Sequence, residues 1–494
     1  MKKRKKKACP DRLSELPNSL IHLIFSFLPT KYAVRTTLLS KRWRDFWLTV
    51  PTLNFHDRDF LYRREAPLFD FVDLALILWN GARLSRFDLA FNYHRHESGE
   101  YESRSYRNYW SASLILDLWL RFAAENAVEE LILDLIDGDD AKEGLFRETY
   151  WLPQRLYSCS SIRELSLAGC VVSINGGVNW DRLRVLRIEG SWLRGYNVGR
   201  VLRGAPRLEV LILRVFGGGG RLSIVSDSLK KVVVERYERG DGDDDGDLDY
   251  EEMKEVMDIC APNVETLQVL GVMYRECVVE DVSCLRNAIF EFDLSRDYQH
   301  GRSPGYELVE DVLGQDHPTR VETVTLSSDF EVMADMKKKY CMLASLSSTR
   351  CLKLYATKVE KIVEILQVFP RMMMLVLQHS DLREGDHHDV FEIIRDDEQA
   401  NFLESKTDFP ESSLLQLRTV EITWYADDDA IFPFIELLLK YGRKLEKMVI
   451  MWLKRNGEVV EKEECFALAE EKVLSMWRSS PTANVQHKEL PLSQ

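Results

Sequence analysis

Short apolar doublets, each two residues apart, recur down the chain: Leu165 and Leu167, Leu186 and Ile188, Leu211 and Leu213, Val232 and Val234, Leu267 and Val269. They continue as Phe290 and Phe292, Val324 and Leu326, Leu352 and Leu354, and Leu375 and Leu377. Such a doublet puts two side chains on one face of a strand. Steps of 21 (165 to 186), 25 (186 to 211) and 23 (267 to 290, 352 to 375) lie in the range of stacked repeats. One repeat cannot bury its own apolar face, whereas a stack makes a continuous core. The spacing therefore predicts an α/β solenoid of irregular repeats over residues 51–410.

Three segments share a lead-in: GAPRLEVLIL (204–213), CAPNVETLQV (260–269) and VFPRMMMLVL (368–377) align on Pro206, Pro262 and Pro370. Each proline is expected to end a helix and open a strand, which places a helix over Glu251–Ile259. The step from Val232 to Leu267 is 35, about twelve residues longer than its neighbours. An insertion at 238–252 accounts for the excess, on a connection where insertions are tolerated.

That insertion, DGDDDGDLDYEEM, fits a calcium loop. Asp241, Asp243, Asp245, Asp247, Asp249 and Glu252 fall at oxygen-ligand positions, Gly246 at the sharp turn and Leu248 at the apolar position. The preceding Val232, Val233 and Val234 are β-branched and suit a strand, so the entering helix of such a motif is missing. Calcium is therefore an alternative role, in a calcium-binding or otherwise independent repeat scaffold.

The first fifty residues are a different unit. Pro17 suits a first helical turn, after which Leu20, Leu23, Ile24, Phe27 and Leu28 recur at helical spacing until Pro29. A second helix is expected from about Lys31 to Leu39, burying Ala33, Val34 and Leu38. Ser40 suits the N-cap of a third, carrying Trp43, Phe46 and Trp47. Forty residues of short helices are too small a core to stand alone, so several of these apolar side chains are expected to face a partner.

With LP at 16–17, SFLPTK at 26–31 and LSKRW at 39–43, this segment resembles a plant F-box. The resemblance implies docking on the Skp1 adaptor of a cullin-RING ubiquitin ligase, with Leu16, Pro17, Leu20, Ile24, Leu28, Leu39, Ser40 and Trp43 forming or positioning the apolar surface. Asn18 stands where the family usually has an acid. The last segment, 411–486, is similar to the FBD domain that often closes plant F-box leucine-rich-repeat proteins: strand SSLLQLRTVEITWY, helix Ala430–Tyr441, strand KLEKMVIMW, a helix ending near Trp477, and RSSPTANVQ. It is expected to act as an α+β cap. The resemblance as a whole implies a substrate-recognition subunit that is not itself an enzyme.

Composition agrees. A net charge of -14 argues against a nucleic-acid partner, although Lys2–Lys7 form a basic tail, read as an import signal or simply a solvated end. Nine cysteines without a CxxC pair indicate neither a disulfide framework nor zinc. The most apolar run, Leu114–Val128, is broken by Asp117, Arg121 and Glu125, so no membrane span is expected. The expected location is the nucleus, the cytoplasm or both. GxSxG, HExxH and GxxxxGK[ST] are absent. The run Gly217–Gly220 lacks the lysine of a phosphate cradle, and His387 and His388 between Asp386 and Asp389 lack a third ligand cluster.

Overall fold

A computed structural model describes, with short gaps, residues 16–60, 68–93, 112–136, 150–237, 256–292, 308–312, 321–326, 349–379, 414–453 and 462–489. The chain divides into two compact units, Met1–Gly218 with Arg239–Leu248, and Gly219–Glu238 with Asp249–Gln494. Among the described residues the fold is mixed α/β with extensive parallel sheet and few helices.

In the first unit six strands pair side by side, all parallel: Thr52–His56, Arg86–Ala90, Glu130–Asp134, Glu164–Ala168, Val185–Leu193 and Val210–Phe216. Their register stacks each doublet on the next. One column runs Leu53, Phe87, Leu131, Leu165, Leu186, Leu211, and the other Phe55, Leu89, Leu133, Leu167, Ile188, Leu213. All twelve side chains are buried. Doublets at 53, 87 and 131 thus extend the pattern to the N-terminal side.

Amphipathic helices supply the other wall. Leu68–Leu78 buries Leu68, Val72, Ala75 and Leu76, and Ala112–Glu125 buries Ile115, Leu116, Trp119 and Leu120 at spacings of one, three and four. They are tied together where Trp119 Nε1 donates to Asp73 Oδ1 at 2.6 Å. Within the fifth strand a bulge at Gly190 (φ 51°) and Ser191 shifts the register. The buried Ser191 hydroxyl donates to the Glu189 carbonyl at 2.8 Å and accepts from the Cys170 N–H at 3.0 Å, so the bend leaves no orphan. Beyond it, the strand pairs with Cys170–Val172 in a small second sheet.

Among the described residues, the second unit has a ladder of nine parallel strands: Lys231–Tyr237, Thr266–Gly271, Asn287–Phe292, Thr323–Leu326, Cys351–Ala356, Met374–His379, Thr419–Tyr425, Lys447–Leu453 and Asn484–Glu489. The last three lie in the FBD-like segment and continue the ladder, with helices Ile431–Tyr441 and Lys462–Leu474 between them.

Two sequence expectations are corrected here. Leu267 and Val269 stack on Ala288 and Phe290, so the doublet of that repeat is Ala288/Phe290 and not Phe290/Phe292. The expected helix Glu251–Ile259 is replaced, over its described part, by the strand Val256–Cys260. That strand is the middle of a three-stranded parallel sheet with Arg221–Val225 and Glu276–Asp281. In these repeats Leu222 and Ile224, Met257 and Ile259, and Cys277 and Val279 fill the core at a spacing of two, which a helix cannot present on one face. Pro206 does follow a helix, Gly195–Gly204.

Gly271 closes its strand at φ 76°, and a Cβ there would meet the Arg236 carbonyl oxygen of the neighbouring strand. Both the left-handed backbone and the contact oppose a side chain. Gly271→Ala is expected to cost roughly 2–3 kcal/mol, seen as an earlier urea midpoint for the second unit.

Candidate functional site

The N-terminal segment is set out by its two prolines. The Pro17 carbonyl accepts from the N–H groups of Leu20 and Ile21 at 3.0 and 3.1 Å, opening a helix over Asn18–Ser26. The Pro29 carbonyl does the same for Tyr32 and Ala33, opening Thr30–Arg35. The second helix is shorter than expected. It gives way to a 3-10 turn over Thr36–Leu38, with the Thr36 hydroxyl bonded back to the Ala33 carbonyl at 2.6 Å. Leu38 is exposed and Val34 only half-buried, contrary to the expected burial of both. In place of a third helix stand two 3-10 turns, Lys41–Trp43 and Phe46–Thr49.

The inner face of the first helix is Ile21 and Phe25, one turn apart and both 1% exposed. Phe25 meets Trp43 edge-on at 5.8 Å, and His22 meets Phe46 at 5.0 Å. Asn18 Oδ1 accepts from Arg42 at 2.5 Å, and Arg42 also donates to the Leu16 carbonyl at 2.7 Å. An amide therefore serves as acceptor at the place where the family carries an acid.

Leu20, Leu23, Ile24, Phe27, Leu38 and Leu39 form the outward side, from 41% exposed at Ile24 to 86% at Leu38. Of the residues expected to dock a partner, Pro17, Leu20, Ile24 and Leu39 are exposed, Leu16 and Leu28 half-buried, and Trp43 buried beneath Phe25. Ser40 lies outside the described residues. Leu23, Phe27 and Leu38 were not among the expected docking residues, yet they share the open side.

The segment is fastened to the first strand of the ladder. Ser26 O accepts from the Thr52 hydroxyl at 3.2 Å, and Thr30 Oγ1 accepts from the Asn54 N–H at 2.8 Å. Lys31 is buried, its ammonium donating to the Asp59 carbonyl and sitting 4.5 Å over the Phe60 ring. Burial pushes its pKa down. Trp79 Nε1 donates to the Val50 carbonyl at 2.9 Å.

Residues 13–54 match the F-box domain model, and residues 116–243 match the model described as FBD-associated F-box protein At5g56370, LRR repeats. The chain carries an F-box and leucine-rich repeats of the FBD-associated type. It is 31% identical to putative F-box/LRR-repeat protein At3g18150 of Arabidopsis thaliana over 238 residues, 47% of this chain and 44% of that protein. It is 28% identical to F-box/FBD/LRR-repeat protein At5g56420 of the same plant over 244 residues, 48% of this chain and 52% of that one. F-box/LRR-repeat protein At3g03360, also of Arabidopsis thaliana, is 26% identical over 347 residues, 67% of this chain and 62% of that one. The chain spans about half the length of the first two relatives.

On the repeats that follow the F-box, the strand face opposite the buried doublets carries a polar row. His56 Nε2 lies 3.0 Å from Asp88 Oδ1, Arg86 donates to Asp88 Oδ2 at 2.8 Å, and Arg86 reaches Glu130 at 2.8 Å. Burial acts to raise the Asp88 pKa, but hydrogen bonds from His56 and Arg86 outweigh it and hold the carboxyl below its usual range. Asp134 differs: burial pushes its pKa up, against one backbone hydrogen bond from Ile136 at 3.2 Å. With a folded pKa above the unfolded one, its ionised form weakens the fold at neutral pH, and that penalty fades as pH falls through the folded value. Asp134→Asn keeps the acceptor and is expected to raise the melting point of the first unit by about 2–4 °C at pH 7, for roughly 1 kcal/mol. The gain should shrink in acid; scanning calorimetry at both pH values measures it.

Among the described residues no group of three or more His, Cys, Asp or Glu could hold a metal ion, and no helix is long and apolar enough to cross a membrane. The acidic stretch with Asp241, Asp243, Asp245, Asp247, Asp249 and Glu252, the pair His387 and His388, and the tail Lys2–Lys7 all lie outside the described residues.

Proposed function

We propose that this protein is a substrate-recognition subunit of a Skp1-cullin-F-box ubiquitin ligase, itself non-catalytic. The open apolar side of the F-box, Leu20, Leu23, Ile24, Phe27, Leu38 and Leu39, carries the reading. Six large apolar side chains at that exposure on a forty-residue unit are what a partner is needed to cover. The F-box binds a Skp1-type adaptor and through it a cullin, while the stacked repeats, read as a solenoid, hold the protein to be modified. Catalysis then comes from proximity, since a rigid scaffold raises the effective concentration of target lysines at the charged conjugating enzyme. The fastening of the F-box to the first strand, through Thr30 and Asn54, and to the turn after it, through Lys31 and Asp59, supports such rigidity. Coexpression of the full chain with a Skp1-type adaptor, followed by affinity capture and gel filtration, tests it. A stoichiometric complex is expected, and a folded chain that elutes alone overturns the reading.

A further inference from the structure

Lysine and arginine are distributed unevenly. Residues 42–229 hold 23 arginines and one lysine, Lys142, whereas residues 230–494 hold 15 arginines and 17 lysines. Among the described residues, arginines of the first stretch lie at the surface. Arg83, Arg121, Arg163 and Arg184 have side chains 61%, 53%, 53% and 65% exposed, and Arg155, Arg182, Arg203 and Arg207 are exposed on the turns and helix end between strands. Of the lysines in the F-box, Lys31 is buried with its amine held on the Asp59 carbonyl. In the second unit, by contrast, Lys230, Lys440, Lys444, Lys447, Lys472 and Lys488 are all exposed.

Solubility does not require this choice, because both residues supply one positive charge. They differ in chemistry. A lysine amine that sheds a proton is a nucleophile: it attacks the carbonyl of a ubiquitin thioester, the C–S bond breaks, the conjugating enzyme's cysteine leaves as thiolate and takes up a proton, and an isopeptide bond remains. A guanidinium is far more basic, stays charged and does not attack.

We propose that the repeats next to the F-box are kept almost free of acceptor amines, Lys142 being the one exception, so that the ligase to which the protein is docked modifies its target and largely spares this part of the receptor. The inference rests on the ligase reading above and concerns residues 42–229. Self-modification is thereby directed to Lys142 and to lysines outside that stretch.

The test uses the full chain in a reconstituted complex of Skp1-type adaptor, cullin, RING protein and conjugating enzyme. Arg155→Lys, Arg182→Lys and Arg207→Lys are introduced together. These keep charge and sit on exposed positions; a melting curve matching the unsubstituted chain confirms folding, and the single variants replace the triple if it does not. Peptide mass spectrometry is expected to find ubiquitin remnants at the introduced amines, with the half-life of the chain in cells at least halved relative to the parent. Intact complexes that modify lysines beyond residue 229 but never the introduced ones overturn this inference alone. Failure of the parent chain to assemble with the adaptor overturns the ligase reading itself.

Discussion

Replacing Leu20 and Ile24 together by aspartate is expected to abolish capture of a Skp1-type adaptor while leaving the fold intact. The two side chains lie one turn apart on the outward side of the helix Asn18–Ser26, at 45% and 41% exposure. Central apolar contacts of an interface cost about 2 kcal/mol or more each when lost. Two of them amount to at least about 4 kcal/mol, or roughly a thousandfold in Kd, before the cost of pressing carboxylates into an apolar interface. Exposed substitutions away from caps and core change stability by only about 0.5 kcal/mol. The circular dichroism and melting curve should therefore match the parent. Leu16→Ala with Pro17→Ala is a poorer probe, because Leu16 is half-buried and the proline ring fixes the backbone at the helix start, so backbone and interface effects mix. Ile21→Ala is the matching control. It should lower the melting point through a cavity on the buried side of the helix, at about 2–5 kcal/mol, while the docking face keeps its composition. Undiminished binding by the double aspartate variant would place the docking surface elsewhere.

The repeat ladder was largely legible because its signal is chemical and local. A strand that must bury alternate residues shows two apolar positions separated by one, and Leu165/Leu167 or Leu375/Leu377 announce it. Side-chain size obscures the pattern at one repeat. Ala288 is too small to stand out, Phe292 is conspicuous, and the register shifted by two until the pairing with Leu267 and Val269 fixed it. Val256–Cys260 is ambiguous for another reason, since Met253, Val256 and Met257 fit helical spacing as well as Met257 and Ile259 fit a strand. Neighbouring strands at Arg221–Val225 and Glu276–Asp281 decide between them, and such pairing is not visible in one segment. In the F-box, periodicity marked Leu20, Leu23, Ile24 and Phe27 as one stripe. What it could not show is that the Ile21–Phe25 stripe takes the core and leaves the first one open. The Asp88 environment was equally hidden, because His56, 32 positions earlier in the chain, meets it across adjacent strands.

Deleting residues 1–50 should do more than remove adaptor binding: it should loosen the start of the repeats. Thr52–His56 pairs on one side with Arg86–Ala90, and the F-box meets its other edge. There the Asn54 N–H is satisfied by the Thr30 hydroxyl and the Thr52 hydroxyl by the Ser26 carbonyl, where an interior strand would find a neighbouring backbone. Val50, whose carbonyl anchors the Trp79 indole, goes with the deletion. An uncovered first repeat exposes both apolar surface and unpaired backbone. The expected loss is about 3 kcal/mol in the first unit, or roughly 6–12 °C in its melting point. Amide exchange at Thr52–His56 should accelerate about a hundredfold, since exchange follows the local opening free energy. Lys31→Met separates the two roles. It removes the buried ammonium from Asp59 and Phe60, keeps Leu20 and Ile24 in place, and should raise exchange at Thr52–His56 while adaptor capture persists. If exchange there is the same with and without the F-box, the F-box is only tethered to the repeats, and the rigid geometry that proximity catalysis needs must come from another contact.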